Sequence, residues 1–424
     1  MLSMFDKTSV ERRLSPQDII ESLSNLKQLI FEVTDACNLR CKYCGYGDLY
    51  FGYDKRESNF LPIEQAKAVI DYLVSYWRKY PPKAKCPTTY ISFYGGEPLL
   101  NMTFIEEIVE YVENLNIDRT FEFSMTSNAV LLDRYMDYLV EKKFHLLISL
   151  DGDKSGNGFR ITPSGKESFD TVFANAKTLQ SKYPEYFQEY VNFNSVLHSL
   201  NSVQSTYRFI KKEFQKTPTM SELNDSHIKE QHREYWNSIY RNKIESIRSA
   251  ENSEELEREL FIENPETFDL LVFLRQYSGN TFKDYESLLV NPDNISLCPT
   301  GTCIPFSRKM FVTVTGKILQ CEKIDHNYAL GNVSKETGVT LDINSIVDRI
   351  NGYYDKLRLR CSKCAKKLGC TQCMYFIDDL DCSKPFCSSF WSSKMFEQYM
   401  DNSLGYLSEH PELYDKLTTE VYVD

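Results

Sequence analysis

Residues 33–47 read VTDACNLRCKYCGYG, which sets Cys37, Cys41 and Cys44 in the spacing CxxxCxxC. Three thiolates so close along the chain can hold a metal cluster from one loop. A [4Fe–4S] cluster ordinarily takes four cysteines, so a loop that offers three leaves one iron without a protein ligand. An open coordination position is what a metal centre needs to act on a bound molecule. A zinc knuckle is the simpler use of the same residues. Just before the loop, Leu29-Ile30-Phe31-Glu32-Val33 is apolar and β-branched and reads as a buried strand. The cysteines therefore sit on the loop leaving a strand's C-terminal end, where α/β barrels carry their reactive groups.

The chain around this loop has 424 residues, 42% of them hydrophobic, so it exceeds one typical domain and can bury a sizeable core. A net charge of −11 with no offsetting Lys/Arg block leaves no electrostatic footprint for nucleic acid. No apolar run reaches the roughly 18 residues of a membrane span. The first residues, MLSMFDKTSVERRLSPQD, lack the apolar centre of a signal peptide, which points to the cytoplasm. Thirteen cysteines in a reducing compartment argue for metal ligation rather than disulfides. Three lie in the first loop, Cys86 stands alone as an expected buried thiol, and nine fall between Cys298 and Cys387.

Read in order, the chain divides into a polar segment (1–26), an alternating strand and helix region (27–224), a charged helical bridge (225–297), a cysteine-rich module (298–390) and a helix with a polar end (391–424). The segment 1–26, with a short helix near 16–26, is too short for an added peptide-binding winged-helix domain. In the second region Pro62 opens a helix whose apolar face is Ala66, Val69, Ile70, Leu73 and Trp77. Strands follow at Thr89–Phe93, around Phe121–Met125, at His145–Leu150, at Tyr190–Leu197 and near Thr219–Leu223. Strands alternating with helices predict a parallel sheet, here a partial TIM-like (β/α)6 barrel, with every strand's C-terminal end on one face. The first four strands end in polar or glycine-rich tips: the cysteine loop, then Gly95-Gly96-Glu97-Pro98, Thr126-Ser127-Asn128 and Ser149-Leu150-Asp151-Gly152. Each alone would pass for a turn.

The cysteine triad with an aromatic, Tyr43, before its last member resembles the signature of the radical SAM enzymes. That resemblance implies a cluster whose open iron binds S-adenosylmethionine, and reductive cleavage to a 5'-deoxyadenosyl radical. It implies that Gly95, Gly96 and Glu97 hold the cofactor's methionine amino group, where glycine permits close backbone approach. It implies a ribose or carboxylate contact from Ser149, a further contact from Asn128, and Tyr43 near the adenine. Arg160 is expected to clamp the methionine carboxylate with paired hydrogen bonds. The stretch DGDKSGNGFR departs from related enzymes, which carry a proline and a histidine between the glycine and the arginine.

In the C-terminal module Cys298 and Cys303 precede a hairpin, Lys309–Cys321, turning at Thr315-Gly316. Cys361, Cys364, Cys370, Cys373, Cys382 and Cys387 follow. On spacing alone CxxC…CxxC equally suits zinc. Beside a radical SAM barrel the pattern resembles the SPASM domain, which implies two auxiliary [4Fe–4S] clusters and three clusters in all. One would take Cys298, Cys303, Cys321 and Cys373. The other would take Cys361, Cys364, Cys370 and either Cys387 or Cys382.

SPASM enzymes mostly modify peptides, and the resemblance covers nearly the whole chain. It implies a maturase that abstracts hydrogen from a ribosomally made precursor peptide to install a crosslink or an oxidation, with flavodoxin or ferredoxin as electron donor. The alternative within the family is an anaerobic sulfatase-maturating enzyme, which generates formylglycine and carries an aspartate where this chain has Glu322; either carboxylate can serve as general base. An alternative of another class is a zinc-stapled peptide-binding protein.

Overall fold

The computed structural model describes residues 8–84, 87–278 and 295–421. Cys86, read above as a buried thiol, lies outside the described residues. The apolar stretch that precedes the cysteines forms a strand, Gln28–Thr34, buried at six consecutive positions. Burial on both faces is what a parallel sheet covered by helices requires.

Twelve strands occur among the described residues: β1 (Thr8–Ser9), β2 (Gln28–Thr34), β3 (Thr88–Gly95), β4 (Thr120–Ser127), β5 (His145–Ser149), β6 (Val191–Val196), β7 (Thr219–Ser221), β8 (Ile295–Ser296), β9 (Lys309–Val312), β10 (Lys317–Leu319), β11 (Gly331–Ser334) and β12 (Gly338–Thr340). The described residues fall into two compact units. The larger comprises 17–259 and 304–343, the smaller 1–16, 260–303 and 344–424.

The larger unit contains one ten-stranded sheet in the order β12-β11-β10-β9-β2-β3-β4-β5-β6-β7. Strands β2 to β7 are parallel neighbours in sequence order, the six-strand α/β arrangement that the alternating pattern predicts. Helices between them behave as their periodicity requires. Helix Ile63–Lys79 starts after Pro62 and buries Ala66, Val69, Ile70, Leu73, Val74 and Trp77 on one face. Trp77 adds a hydrogen bond from its indole nitrogen to the Leu23 carbonyl at 3.1 Å.

The sequence places residues 298–390 in a cysteine-rich module of their own, beyond the barrel (27–224) and the bridge (225–297); in the structure β9 to β12 of that stretch continue the barrel's sheet. β9 pairs parallel to β2, with Gln28 opposite Lys309 and Phe31 opposite Val312. The junction is anchored by a buried carboxylate. Glu32, on β2, accepts from the Val314 backbone N–H at 3.0 Å and from Arg56 at 2.8 Å. Gly316, at φ +84°, makes the hairpin turn, where a Cβ would stand 2.2 Å from the Val333 carbonyl oxygen. Among the described residues of the charged bridge, 233–239 and 243–248 are helical and belong to this unit. Trp236 and Ile239 from the bridge join Tyr43, Leu49, Tyr50, Leu223 and Ile228 in one apolar cluster that packs against Cys41.

The smaller unit is mostly helical. Helix Pro265–Gln276 packs Leu270, Leu271, Phe273 and Leu274 against Phe396 and Leu417 from the C-terminal helices. The 20-residue helix Ile343–Ser362 carries Cys361 in its last turn.

Candidate functional site

Parallel pairing of β2 to β7 puts their C-terminal ends on one edge. The cysteine loop leaves β2 at this edge and is stapled by backbone bonds. Arg40 N–H donates to the Ile161 carbonyl at 2.6 Å and Lys42 N–H to that of Phe159 at 3.1 Å, so segment 159–161 grips the loop. Within the loop Cys44 N–H reaches the Cys41 carbonyl at 3.2 Å and Gly47 N–H that of Cys44 at 2.8 Å.

The tip of β3 is pressed against this loop. Gly96 N–H donates to Thr34 O at 2.8 Å and Glu97 N–H to Ala36 O at 2.9 Å. A Cβ on Gly95 would lie 2.3 Å from Thr34 O, and one on Gly96 would lie 1.9 Å from Ala36 O. Both glycines are therefore demanded by contact between two strand tips, whatever they do for a ligand. The Glu97 side chain does not project outward. Its carboxylate, 1% exposed, accepts from Ser127 Oγ and Asn128 N at 2.8 Å each and from Leu99 N at 3.2 Å, bolting β3 to β4. Burial pushes its pKa up to about 7 against the pull of these three donors. Asn128 continues the chain of contacts, donating from Nδ2 to Asn38 Oδ1 at 2.7 Å with Cys37 Sγ at 3.8 Å.

At the tip of β5, Ser149 is nearly buried and is followed by Asp151, which is 0% exposed. Arg160 grips Asp151 through Nε at 2.9 Å and Nη2 at 3.0 Å. The paired-bond geometry expected toward a ligand carboxylate is thus used on a carboxylate of this chain. Tyr43 donates its hydroxyl to the same Asp151, and its ring stacks on buried His198 with centroids 5.3 Å apart. Burial alone would raise the Asp151 carboxyl, but Arg160, with His198 and Tyr43, brings it down to about 2. Tyr43 lies in the core, 7% exposed, and orients the loop between Cys41 and Cys44 from beneath. Leu200 N–H donates to His198 Nδ1 at 3.2 Å, so the His198 proton sits on Nε2, 3.5 Å from Asp151 Oδ2.

Glu322 lies far from the loop in sequence and beside it in space. Tyr46, two residues past Cys44, donates its hydroxyl to the Glu322 carbonyl at 3.4 Å across 276 positions. Tyr46 also packs edge-on against Tyr53 at 4.8 Å and Tyr94 at 6.1 Å. Burial alone would raise the Glu322 carboxyl, but the Lys309 ammonium 2.8 Å away holds it below its ordinary value. Cys321 is pushed up to about 12 by burial, with Glu322 adding to the effect.

Of the cysteines expected in the auxiliary sites, Cys321 belongs to the larger unit and the others to the smaller. There, Cys361, Cys364, Cys370 and Cys387 line one cavity together with Cys298. Cys382 is exposed and does not line it. Cys373 does not line it; there Thr302 Oγ1 accepts from the Met374 N–H at 2.7 Å, and Cys303 acts electrostatically on Cys373.

An iron–sulfur cluster fits the donor set at the sheet edge. Burial pushes the Cys37 thiol up to about 11 and Cys41 up to about 12, so free thiols stay protonated, and metal ligation is what would make them thiolates. Leu39 N–H already points at Cys37 Sγ at 3.4 Å, the kind of donor that stabilises a ligating sulfur.

Four contributors were not singled out from sequence: Asp151, His198, Tyr46 and Lys309. Asp151 carried a signal, an acid directly after an apolar strand. The other three carry none, because their role depends on who faces them.

Comparison with known proteins agrees with this geometry. Residues 31–210 match the radical SAM superfamily. A radical SAM cyclopropyl synthase, TigE, of Paramaledivibacter caminithermalis is 28% identical over 186 residues, which are 42% of this chain and 37% of that relative's length. A cysteine-type anaerobic sulfatase-maturating enzyme of Clostridium novyi is 25% identical over 329 residues, 74% of this chain and 78% of the relative. Among solved structures, native anSMEcpe with bound AdoMet and Cp18Cys peptide superposes with a TM-score of 0.58 at 21% identity, covering 93% of this chain and 99% of that one.

Proposed function

From a chain whose residues 31–210 carry a radical SAM domain, we propose a maturase that uses S-adenosylmethionine to abstract hydrogen from a precursor peptide and install a crosslink or an oxidation. The observation that carries this reading is the three-cysteine loop at the C-terminal edge of a parallel sheet, held by the tips of β3, β4 and β5. When bound there, the cluster and S-adenosylmethionine supply the reductive cleavage and the radical.

The chain's own residues supply position. Cys37, Cys41 and Cys44 hold the cluster. Gly95 and Gly96 leave backbone accessible beside it, and Glu97 fixes that backbone through Ser127 and Asn128. Ser149 and Asn128 would contact the cofactor's polar groups. Asp151 and Arg160 lock Tyr43, whose ring sets the angle of the cysteine loop. With Nε and Nη2 engaged by Asp151, only Nη1 of Arg160 would be left for the cofactor carboxylate. Glu322, ionised beside Lys309, accepts the substrate proton.

In the smaller unit Cys361, Cys364, Cys370 and Cys387 hold one auxiliary [4Fe–4S] cluster, with Cys387 favoured over Cys382 by the lining of the cavity. Cys298 lines that same cavity, so of the ligands that the resemblance gives to a second cluster, Cys303 and Cys373 are the ones left in this unit. A flavodoxin or ferredoxin supplies the electron. A second reading, formylglycine generation, is supported by the likeness to the Clostridium novyi enzyme along 74% of this chain and by the acid after Cys321.

Replacing Cys37, Cys41 and Cys44 by alanine is expected to abolish release of 5'-deoxyadenosine by dithionite-reduced protein. Release undiminished in the triple variant would overturn the assignment.

A further inference from the structure

The cavity lined by Cys361, Cys364, Cys370 and Cys387 is also lined by two cations, Arg360 and Lys367. Arg360 ends the helix that delivers Cys361 and is held in place on several sides. Its Nη2 donates to the Cys387 carbonyl at 2.9 Å, and its guanidinium lies 4.6 Å from the Phe386 ring centroid and 4.8 Å from that of Phe390. Its Nε is buried without a hydrogen-bond partner among the described residues. Among the described residues its guanidinium meets a carbonyl and two rings. Lys367 stands in the short turn after Cys364, with its N–H on the Cys364 carbonyl at 3.4 Å.

We propose that Arg360, assisted by Lys367, sets the reduction potential of the cluster held by these four cysteines, keeping it higher than an uncharged pocket would. This rests on the reading that the four cysteines bind a [4Fe–4S] cluster. Four thiolates and an oxidised cubane core carry a net charge of about −2, which becomes about −3 on one-electron reduction. Two cations beside it favour the more negative form. The preference grows as the cations are held closer to the cluster and water is displaced from between them. The guanidinium also offers an unpaired N–H for a sulfur, which acts in the same direction. Arg360 is pinned and Lys367 is a flexible point charge, so the arginine has the larger effect.

The test uses the full chain with Cys37, Cys41, Cys44 and Cys321 replaced by alanine, reconstituted anaerobically. The expected parent holds about four irons and is titrated potentiometrically by EPR. With R360M the ratio of reduced to oxidised cluster at the parent's midpoint should fall about tenfold, equivalent to about 59 mV for one electron. R360K should restore most of it, and K367M should shift it in the same direction by less. Unchanged midpoints in R360M and K367M at full iron content would overturn the proposal. Should R360M lose iron, the K367M midpoint decides on the same terms. A parent that binds no iron would overturn the cluster reading itself.

Discussion

The two cysteine-bearing regions are built on opposite principles. At the sheet edge the loop of Cys37, Cys41 and Cys44 is held by what surrounds it: strand tips, the 159–161 staple, the Asp151 network and the apolar cluster with Trp236. In the smaller unit the segment 361–390 has one-turn helices at Lys367–Gly369 and Met374–Phe376 and an isolated bridge between Asp378 and Phe386. So little regular hydrogen bonding leaves the cysteines themselves, once ligated, to carry the order. On the proposed reading, one region prepares a place for a metal and the other would be completed by it. A region of the first kind can hold its cofactor open to a substrate; one of the second kind is suited to keeping a cluster in place.

The largest expected effect separates the two directly. Removing the metal by chelation under anaerobic conditions should cost segment 361–390 about a hundredfold or more in amide hydrogen-exchange protection, while β2 to β5 change by about threefold or less. Equal loss in both would erase the distinction.

Next in size is the carboxylate beneath the sheet-edge loop. D151N leaves Arg160 buried and unpaired, with an expected cost of about 3–5 kcal/mol in denaturant unfolding. The folded Asp151 sits near 2, below its ordinary value of 3.8. Its contribution is therefore complete above the ordinary value and is lost as pH falls through the folded one. Wild type should lose stability over that acid window where D151N stays flat; parallel profiles would show that Asp151 is not ionised in the fold.

The smallest effect compares one glycine from each region. In G96A the new Cβ meets the Ala36 carbonyl, so a loss of about 1–3 kcal/mol is expected. Gly352, in the helix Ile343–Ser362, has nothing within 4 Å of a built Cβ. G352A should therefore raise stability by about 0.5–1 kcal/mol, the ordinary helix preference. Thermal melts of the two variants should move in opposite directions.

Much of the scaffold was legible before the structure. The buried face of Ile63–Lys79 and the strands from Gln28 to Ser221 follow the apolar periodicity, because burial on a sheet or helix face repeats over a few residues. The glycine pair at 95–96 was also legible as a place of close approach. What the backbone approaches, the carbonyls of Thr34 and Ala36, was not. The family resemblance aims Arg160 at a ligand carboxylate, a task that suits a guanidinium. That Asp151 is the carboxylate in its grip depends on how segment 159–161 closes over the loop.

By itself the sequence determined the chemistry on offer: which thiols stand close enough along the chain to share a cluster, and which apolar runs must be buried. Those are properties of neighbours, decided over ten or so residues. Tertiary structure alone decided that β9 lies against β2, that Glu322 comes to rest beside Tyr46, and that Cys387 rather than Cys382 turns into the cavity. Such pairings join positions up to 276 apart and are selected by the packing of whole elements, which no local pattern encodes.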